Sequence, residues 1–120
     1  HIACSFRSDG PVLVADNAVA THLYRIAQEA VSNAIKHGQS RHVEIGLARA
    51  ERHLTLTVQD DGTGLPEVLP KQHGLGLRIM RYRAGMIGAS VTVQRGPERG
   101  TIVRCSIDKS AESSFDSAHL

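Results

Sequence analysis

Two neighbouring runs of alternating apolar and polar residues constrain the fold of this chain most strongly. The runs are VEIGLA at 43–48 and HLTLTVQ at 53–59, and a short polar connection separates them. Alternation with a period of two puts the apolar side chains of a strand on one face, and the short connection predicts an antiparallel hairpin. A sheet of this kind is covered on one side only. Its apolar face comprises Val43, Ile45, Leu47, Leu54, Leu56 and Val58.

Two segments with helical periodicity can cover that face. The first is predicted from about 18 to 37, with Asp16 or Asn17 as its N-cap and Gly38 at its end. The second is predicted over 75–87 and ends at Gly88, after a loop over 60–74. The predicted inner residues are Leu23, Ile26, Ala27, Ala30, Ala34 and Ile35 in the first helix, and Leu77, Met80, Ala84 and Ile87 in the second.

Three further strands complete the predicted architecture. They are an edge strand at 2–6 and a hairpin of 90–94 with 101–107 across a Gly/Pro turn. The fold class is therefore α+β, a two-layer sandwich with a mixed, mostly antiparallel sheet and both helices on one face. Residues 1–107 are predicted to form one domain, and the polar, aperiodic residues 108–120 a disordered tail.

Composition excludes several classes of protein. The chain is 41% hydrophobic but contains only two Phe, two Tyr and no Trp, so the core must be aliphatic and bases cannot stack on aromatic side chains. The net charge is +2, and the basic residues are scattered apart from Arg78, Arg81 and Arg83, which most often form a solvated face. Nucleic-acid binding is therefore not predicted.

The two cysteines and the apolar runs bear on location. Cys4 and Cys105 are far apart and lack metal-ligand spacing, so we expect buried, reduced thiols and a cytosolic setting. No apolar run approaches the length of about 18 residues that a membrane span needs. The chain begins at His1 and opens almost directly on a strand, which suggests a piece of a larger protein.

Three polar features could carry chemistry. Glu29, Asn33 and His37 recur at i, i+4 and i+8 along one stripe of the first helix. This stripe is either a solvated polar face or a functional site. Asp60 ends a buried strand, where a carboxylate needs a hydrogen-bond partner. Gly62 and Gly64 would let a flat ligand approach the backbone closely, or the segment is only a glycine-rich turn. An EF-hand is excluded, because Val68 or Pro70 would stand where calcium needs a bidentate Glu.

The third feature is HGLGL at 73–77, two glycines just ahead of the predicted second helix. Amides at a helix N-terminus bind phosphate, and glycines allow close approach; the alternative is a flexible loop and a helix start. A dinucleotide fingerprint is excluded because Ile79 stands where GxGxxG needs Gly, and the chain has no GxxxxGK[ST].

The order of these features resembles the ATP-binding domain of sensor histidine kinases, in the GHKL or Bergerat-fold superfamily. RIAQEAVSNAIKHG is similar to its N box, DDGTG to its G1 box, HGLGL to its G2 box and RGTIV to its closing Gly-Thr strand. The QEAxxNAxKH form, the short lid between Leu65 and His73, and GLRIMRYRAGMIGA most resemble the subfamily whose response regulators carry helix-turn-helix output domains.

The resemblance implies a role for each matching residue. Asp60 would accept a hydrogen bond from the adenine amine beside Thr101, and Asn33 would bind Mg²⁺. Lys36 and His37 would contact phosphate oxygens, and Glu29 would polarise water or orient Asn33 and a metal-bound water. The remaining expected ATP contacts are Gly62, Gly64, Gly74, Leu75, Gly76 and Leu77.

The implied function is donation of the γ-phosphate of Mg-ATP to a histidine on a separate helical dimerisation domain in two-component signalling. None of the seven histidines is followed by Asp or Glu, as the acceptor in this subfamily is, so we expect no autophosphorylation by this chain alone. The implied partners are that dimerisation domain and, indirectly, a response regulator, within a cytoplasmic or membrane-anchored homodimeric parent. The alternatives are an anti-sigma-factor-type serine kinase and a non-catalytic nucleotide-binding or interaction module.

Overall fold

The computed structural model describes residues 3–8, 16–36, 40–50, 52–62, 71–97 and 99–108, with the backbone alone at 71–75. Seven elements follow one another along the chain. They are β1 (Ala3–Ser8), α1 (Asn17–Lys36), β2 (His42–Ala50), β3 (His53–Asp60), α2 (Lys71–Met86), β4 (Ala89–Arg95) and β5 (Thr101–Asp108).

The five strands form one sheet in the order β1-β2-β3-β5-β4. Only β1 and β2 are parallel; β2 with β3, β3 with β5, and β4 with β5 are antiparallel. The predicted α+β sandwich with a mixed, mostly antiparallel sheet is confirmed. Because β3 and β5 are adjacent and antiparallel, the end of β3 meets the start of β5.

The core lies between the helices and the apolar face of the sheet. α1 begins at its predicted cap, since Oδ1 of Asp16 accepts hydrogen bonds from the backbone N–H of Ala18 at 2.7 Å and of Val19 at 3.1 Å. Ile35 was predicted to be an inner residue, but it is 50% exposed, because it lines an open groove between α1 and the sheet. The buried apolar residues of α1 are Val19, Leu23, Ile26, Ala30 and Ala34.

α2 begins at Lys71, four residues before the predicted start at Leu75. The prediction treated the glycine-rich segment as loop, because Gly is a poor helix former. Tertiary packing outweighs that preference here: α2 contacts α1, and Gly76 and Leu77 are buried. The end of α2 was predicted correctly, since Gly88 has φ of 70° and the predicted inner residues Leu77, Met80, Ala84 and Ile87 are all buried.

The two cysteines differ in exposure. Cys105 is buried in β5 as predicted, and burial raises the pKa of its thiol to about 11. Cys4 is exposed, contrary to prediction, because it lies in β1, an edge strand whose residues are all exposed. Neither α1 nor α2, the helices of the described residues, is both long and apolar enough to cross a membrane.

Candidate functional site

Asp60 is a buried carboxylate at the end of β3, 9% exposed. Its Oδ1 accepts two hydrogen bonds, from the backbone N–H of Gly62 at 2.8 Å and from Oγ–H of Ser40 at 3.0 Å. The bond to Gly62 closes an Asx turn, in which the side chain directs the backbone two residues onward. Both of these bonds fall on Oδ1, so Oδ2 has no hydrogen bond to the described residues and is available as an acceptor.

The start of β5 lies against this carboxylate. Gln59 pairs with Ile102, which places Thr101 beside Asp60 at the edge of the described ladder. Gly100 precedes Thr101 with φ of 83°, and a Cβ there would clash with the carbonyl oxygen of Asp60. Nε–H of Arg99 donates to the carbonyl oxygen of Gly62 at 3.1 Å. Only glycine therefore fits at position 100, and this close approach brings Thr101 to the site.

Asp61 ties the end of β3 to the start of β2. Its Oδ1 accepts from the backbone N–H groups of Arg41 at 2.8 Å and His42 at 2.9 Å, and its Oδ2 lies 2.9 Å from Nδ1 of His42. Its own N–H donates to the carbonyl oxygen of His42 at 3.3 Å. The backbone and side-chain hydrogen bonds from His42, then the bond from Arg41, lower the pKa of Asp61 far below its usual range.

The polar stripe of α1 faces α2 at Gly76. Glu29 and Asn33 are half-buried, and a Cβ at Gly76 would lie 2.9 Å from Oε1 of Glu29, 2.9 Å from Nδ2 of Asn33 and 3.2 Å from its Oδ1. These two residues therefore form a contact between helices and not a fully solvated face. Lys36, one turn further along α1, is exposed.

The other predicted contacts are placed as follows. Leu77 is buried in the hydrophobic core. Gly74 and Leu75 lie in the first turns of α2. The sequence had predicted Gly74 in the loop before the helix and Leu75 as the first helical residue. The amides of an α-helix are bonded from about its fourth residue onward, as in α1, where the N–H of Ala20 donates to the carbonyl oxygen of Asp16 at 3.0 Å. Gly74 is the fourth residue of α2 and Gly76 the sixth, so the amides of both lie within the helical ladder. His37 and Gly64 lie outside the described residues.

The sequence prediction missed four residues of this site, namely Ser40, Asp61, Arg99 and Gly100. Ser40 and Arg99 reach the acidic segment from 20 and 37 residues away, and no local pattern marks such contacts. The doubled acid of DDG was a usable signal for Asp61, because two adjacent carboxylates at a strand end cannot both point toward one ligand. Gly100 was visible only as part of the Gly-Thr box.

The chain belongs to the family of histidine kinase-, DNA gyrase B- and HSP90-like ATPases, whose model matches residues 18–111. It is 42% identical over 84 residues to the nitrate/nitrite sensor protein NarX of Escherichia coli, and matches the protein of the same name from Shigella flexneri equally well. These matches cover 70% of this chain and 14% of the relative, so the chain spans about one seventh of the length of these sensors.

Solved structures agree with this membership. The histidine kinase domain of a blue-light activated histidine kinase from Erythrobacter litoralis superposes with a TM-score of 0.78 at 29% identity, over 94% of this chain and 54% of that one. The ATP binding domain of PrrB from Mycobacterium tuberculosis shares the fold, with a TM-score of 0.73 at 21% identity, over 89% of this chain and 79% of that one. The resemblance to histidine kinase ATP-binding domains that the four boxes predicted is confirmed.

Proposed function

We propose that this domain binds Mg-ATP and, within a larger kinase, donates its γ-phosphate to a histidine on a separate helical dimerisation domain. The observation that carries the proposal is Asp60, a buried carboxylate with one oxygen bonded twice and the other available. An accessible oxygen on an otherwise buried carboxylate is suited to accept a hydrogen bond from an N–H donor of a ligand. The exocyclic amine of adenine is such a donor.

The same carboxylate selects the base. Adenine presents N–H donors at its amine, whereas guanine presents a carbonyl oxygen there, which a carboxylate oxygen repels. The hydroxyl of Thr101 would complete the polar edge of the base site, and Gly62 and Gly64 would let the flat ring approach the backbone.

The polar stripe of α1 and the first turn of α2 would hold the triphosphate. The amide oxygen of Asn33 suits Mg²⁺, which takes oxygen ligands and keeps most of its other positions for phosphate and water. Lys36 and His37 would contact phosphate oxygens, and Gly74, which has no side chain, would let phosphate approach the N-terminal end of α2 closely. When bound, Mg²⁺ would supply charge neutralisation on the phosphates.

Glu29 lies beside Asn33 at the Gly76 contact, where it would orient the amide side chain and a nearby water. In the proposed transfer, the bond from the γ-phosphorus to the bridging oxygen breaks, a bond to the acceptor nitrogen forms and ADP leaves. Similarity to NarX, a sensor protein, favours this reading over a serine kinase of the anti-sigma-factor type or a non-catalytic module. The same proposal includes a homodimeric parent that acts in the cytoplasm and signals to a response regulator with a helix-turn-helix output domain. It also includes a domain boundary near residue 107.

Calorimetric titration with ATP, with and without Mg²⁺, tests the base site. We expect Asp60→Asn to weaken binding by about 10- to 100-fold, the effect of losing a hydrogen bond to a charged group. Asn33→Ala should remove most of the dependence on Mg²⁺. Glu44→Gln is the matched control, because it also removes one carboxylate charge, from an exposed ion pair with Arg7 that contributes little to stability. Wild-type affinity in Asp60→Asn would contradict the proposal.

Radiolabelled ATP tests the transfer. The 120-residue chain alone should acquire no label, because its histidines lack the following acid. A separately purified helical domain that carries a His-acidic pair should become labelled on histidine when this chain is added, and Asp60→Asn should abolish that labelling. Label on a histidine of this chain itself, or on serine of an added protein, would contradict the proposed reaction.

A further inference from the structure

We propose that Ser40 is a positioning residue for nucleotide recognition, since its hydroxyl holds the Asp60 carboxylate with Oδ2 facing the base. This inference rests on the proposed recognition of adenine by Asp60. Ser40 is 5% exposed, in the segment between α1 and β2, and its Oγ–H donates to Oδ1 of Asp60 across 20 residues of chain.

The backbone fixes Ser40 independently of its hydroxyl. Its N–H donates to the carbonyl oxygen of Ala34 in the last turn of α1, at 3.4 Å. The next two residues, Arg41 and His42, donate their N–H groups to Asp61. The hydroxyl is thus presented from a segment held at both ends, and its removal leaves those backbone hydrogen bonds in place.

The hydroxyl determines the orientation of the carboxylate. The terminal torsion of an Asp side chain is broad, so a single hydrogen bond allows the two oxygens to exchange roles. Gly62 supplies one donor from the same turn, and Ser40 supplies a second from a different segment. With both donors on Oδ1, the carboxylate presents Oδ2 as the free acceptor before a ligand arrives. A preorganised acceptor binds more tightly than one that must be ordered on binding.

Ser40 also connects the two halves of the candidate site. Its backbone is bonded to the end of α1, the helix that carries Asn33, and its side chain is bonded to Asp60. The base site and the phosphate site are therefore joined through one residue.

The test compares two nucleotides on the 120-residue chain. ATP carries the amine that would donate to Asp60, whereas purine riboside triphosphate lacks it. We expect Ser40→Ala to weaken ATP binding about five- to tenfold, the range for one hydrogen bond, and to change purine riboside triphosphate binding by less than about twofold. Ser106→Ala, the same change at the far end of β5, should alter neither. Ser40→Cys should fall between, because a thiol is a weak donor.

The outcomes separate this inference from the proposed function. If Ser40→Ala and Ser40→Cys weaken the binding of ATP and of purine riboside triphosphate equally, the hydroxyl has only a structural role and the inference is overturned. Unchanged ATP binding in Ser40→Ala, together with strong loss in Asp60→Asn, would overturn the inference and leave the proposed function standing. Unchanged ATP binding in Asp60→Asn would overturn both. A thermal unfolding scan of each variant confirms that folded protein is compared.

Discussion

At the residue scale, the two adjacent acids of the DDG segment have different roles. Asp60 is buried and keeps one oxygen available, whereas Asp61 is half-buried and uses both oxygens to hold the start of β2. Successive side chains at a strand end point to opposite sides, which explains why one acid faces the candidate site and its neighbour faces the sheet edge. The motif therefore combines Asp60, the proposed recognition group, with Asp61, which anchors the same segment.

The anchor should make stability depend on pH. The hydrogen bonds to Asp61 lower its pKa in the folded chain from the ordinary 3.8, so they stabilise the fold above pH 3.8 and lose this effect as pH falls through the folded pKa. We expect Asp61→Asn to melt at a lower temperature than wild type at pH 7, and the gap to narrow progressively below pH 3.8. Glu44→Gln, which removes a carboxylate from an exposed ion pair, should show no comparable loss at pH 7. A gap of constant size down to about pH 2.5 would exclude the carboxylate as its cause.

Single residues also mark the limit of sequence reasoning. Asp60, Asn33 and Glu29 could be selected as candidates from sequence, because each falls in a local pattern of a few residues. Ser40 and Arg99 could not, because their contacts cross from one strand or helix end to another. Cys4 was predicted wrongly because a free thiol is usually buried; the prediction followed that preference, although the strand that carries Cys4 was itself predicted to be an edge strand.

At the element scale, the approach of α2 to α1 depends on glycine at position 76. A Cβ there would meet Asn33 and Glu29 at 2.9 Å, closer than real Cβ contacts come. Because both contacted atoms belong to side chains, the two residues must move for a larger residue to fit. This contact explains why a residue with poor helix propensity lies inside α2.

Two alanine substitutions in α2 test this contact. Gly76→Ala should displace Asn33 and Glu29 and weaken Mg-ATP binding by about tenfold, as for a lost hydrogen bond or metal ligand. Gly85→Ala is the control, because nothing lies within 4 Å of a Cβ there. It should raise the free energy of unfolding by about 0.5–1 kcal/mol through helix propensity and leave binding unchanged. Calorimetric titration and urea unfolding measure both effects, and equal binding by the two variants would contradict this role for Gly76.

The elements themselves were predictable where periodicity was strong. The alternating strands and the inner stripes of both helices followed from spacing alone. The start of α2 did not, because local propensity favours a loop at its glycines while contacts with α1 favour a helix. Ile35 fits the helical period of α1 but is half exposed, because the groove between α1 and the sheet is open at this point.

At the scale of the whole molecule, the sheet order brings three distant segments to one place. The start of β2, the end of β3 and the start of β5 meet because these strands are neighbours and antiparallel in the order β2-β3-β5. The polar stripe of α1 is linked to this place by Ser40, which is hydrogen-bonded to both Ala34 and Asp60. The same stripe contacts α2 at Gly76. Family membership was predictable from the four boxes, since their order along the chain reflects this assembly.

The structure of the chain bound to a non-hydrolysable ATP analogue and Mg²⁺ would show directly whether Asp60 recognises adenine. We predict that the exocyclic amine of adenine lies at hydrogen-bond distance from Oδ2 of Asp60, about 2.7–3.2 Å, with Asn33 beside the metal and the phosphates. An analogue bound elsewhere, or an adenine whose amine faces away from Asp60, would contradict the account.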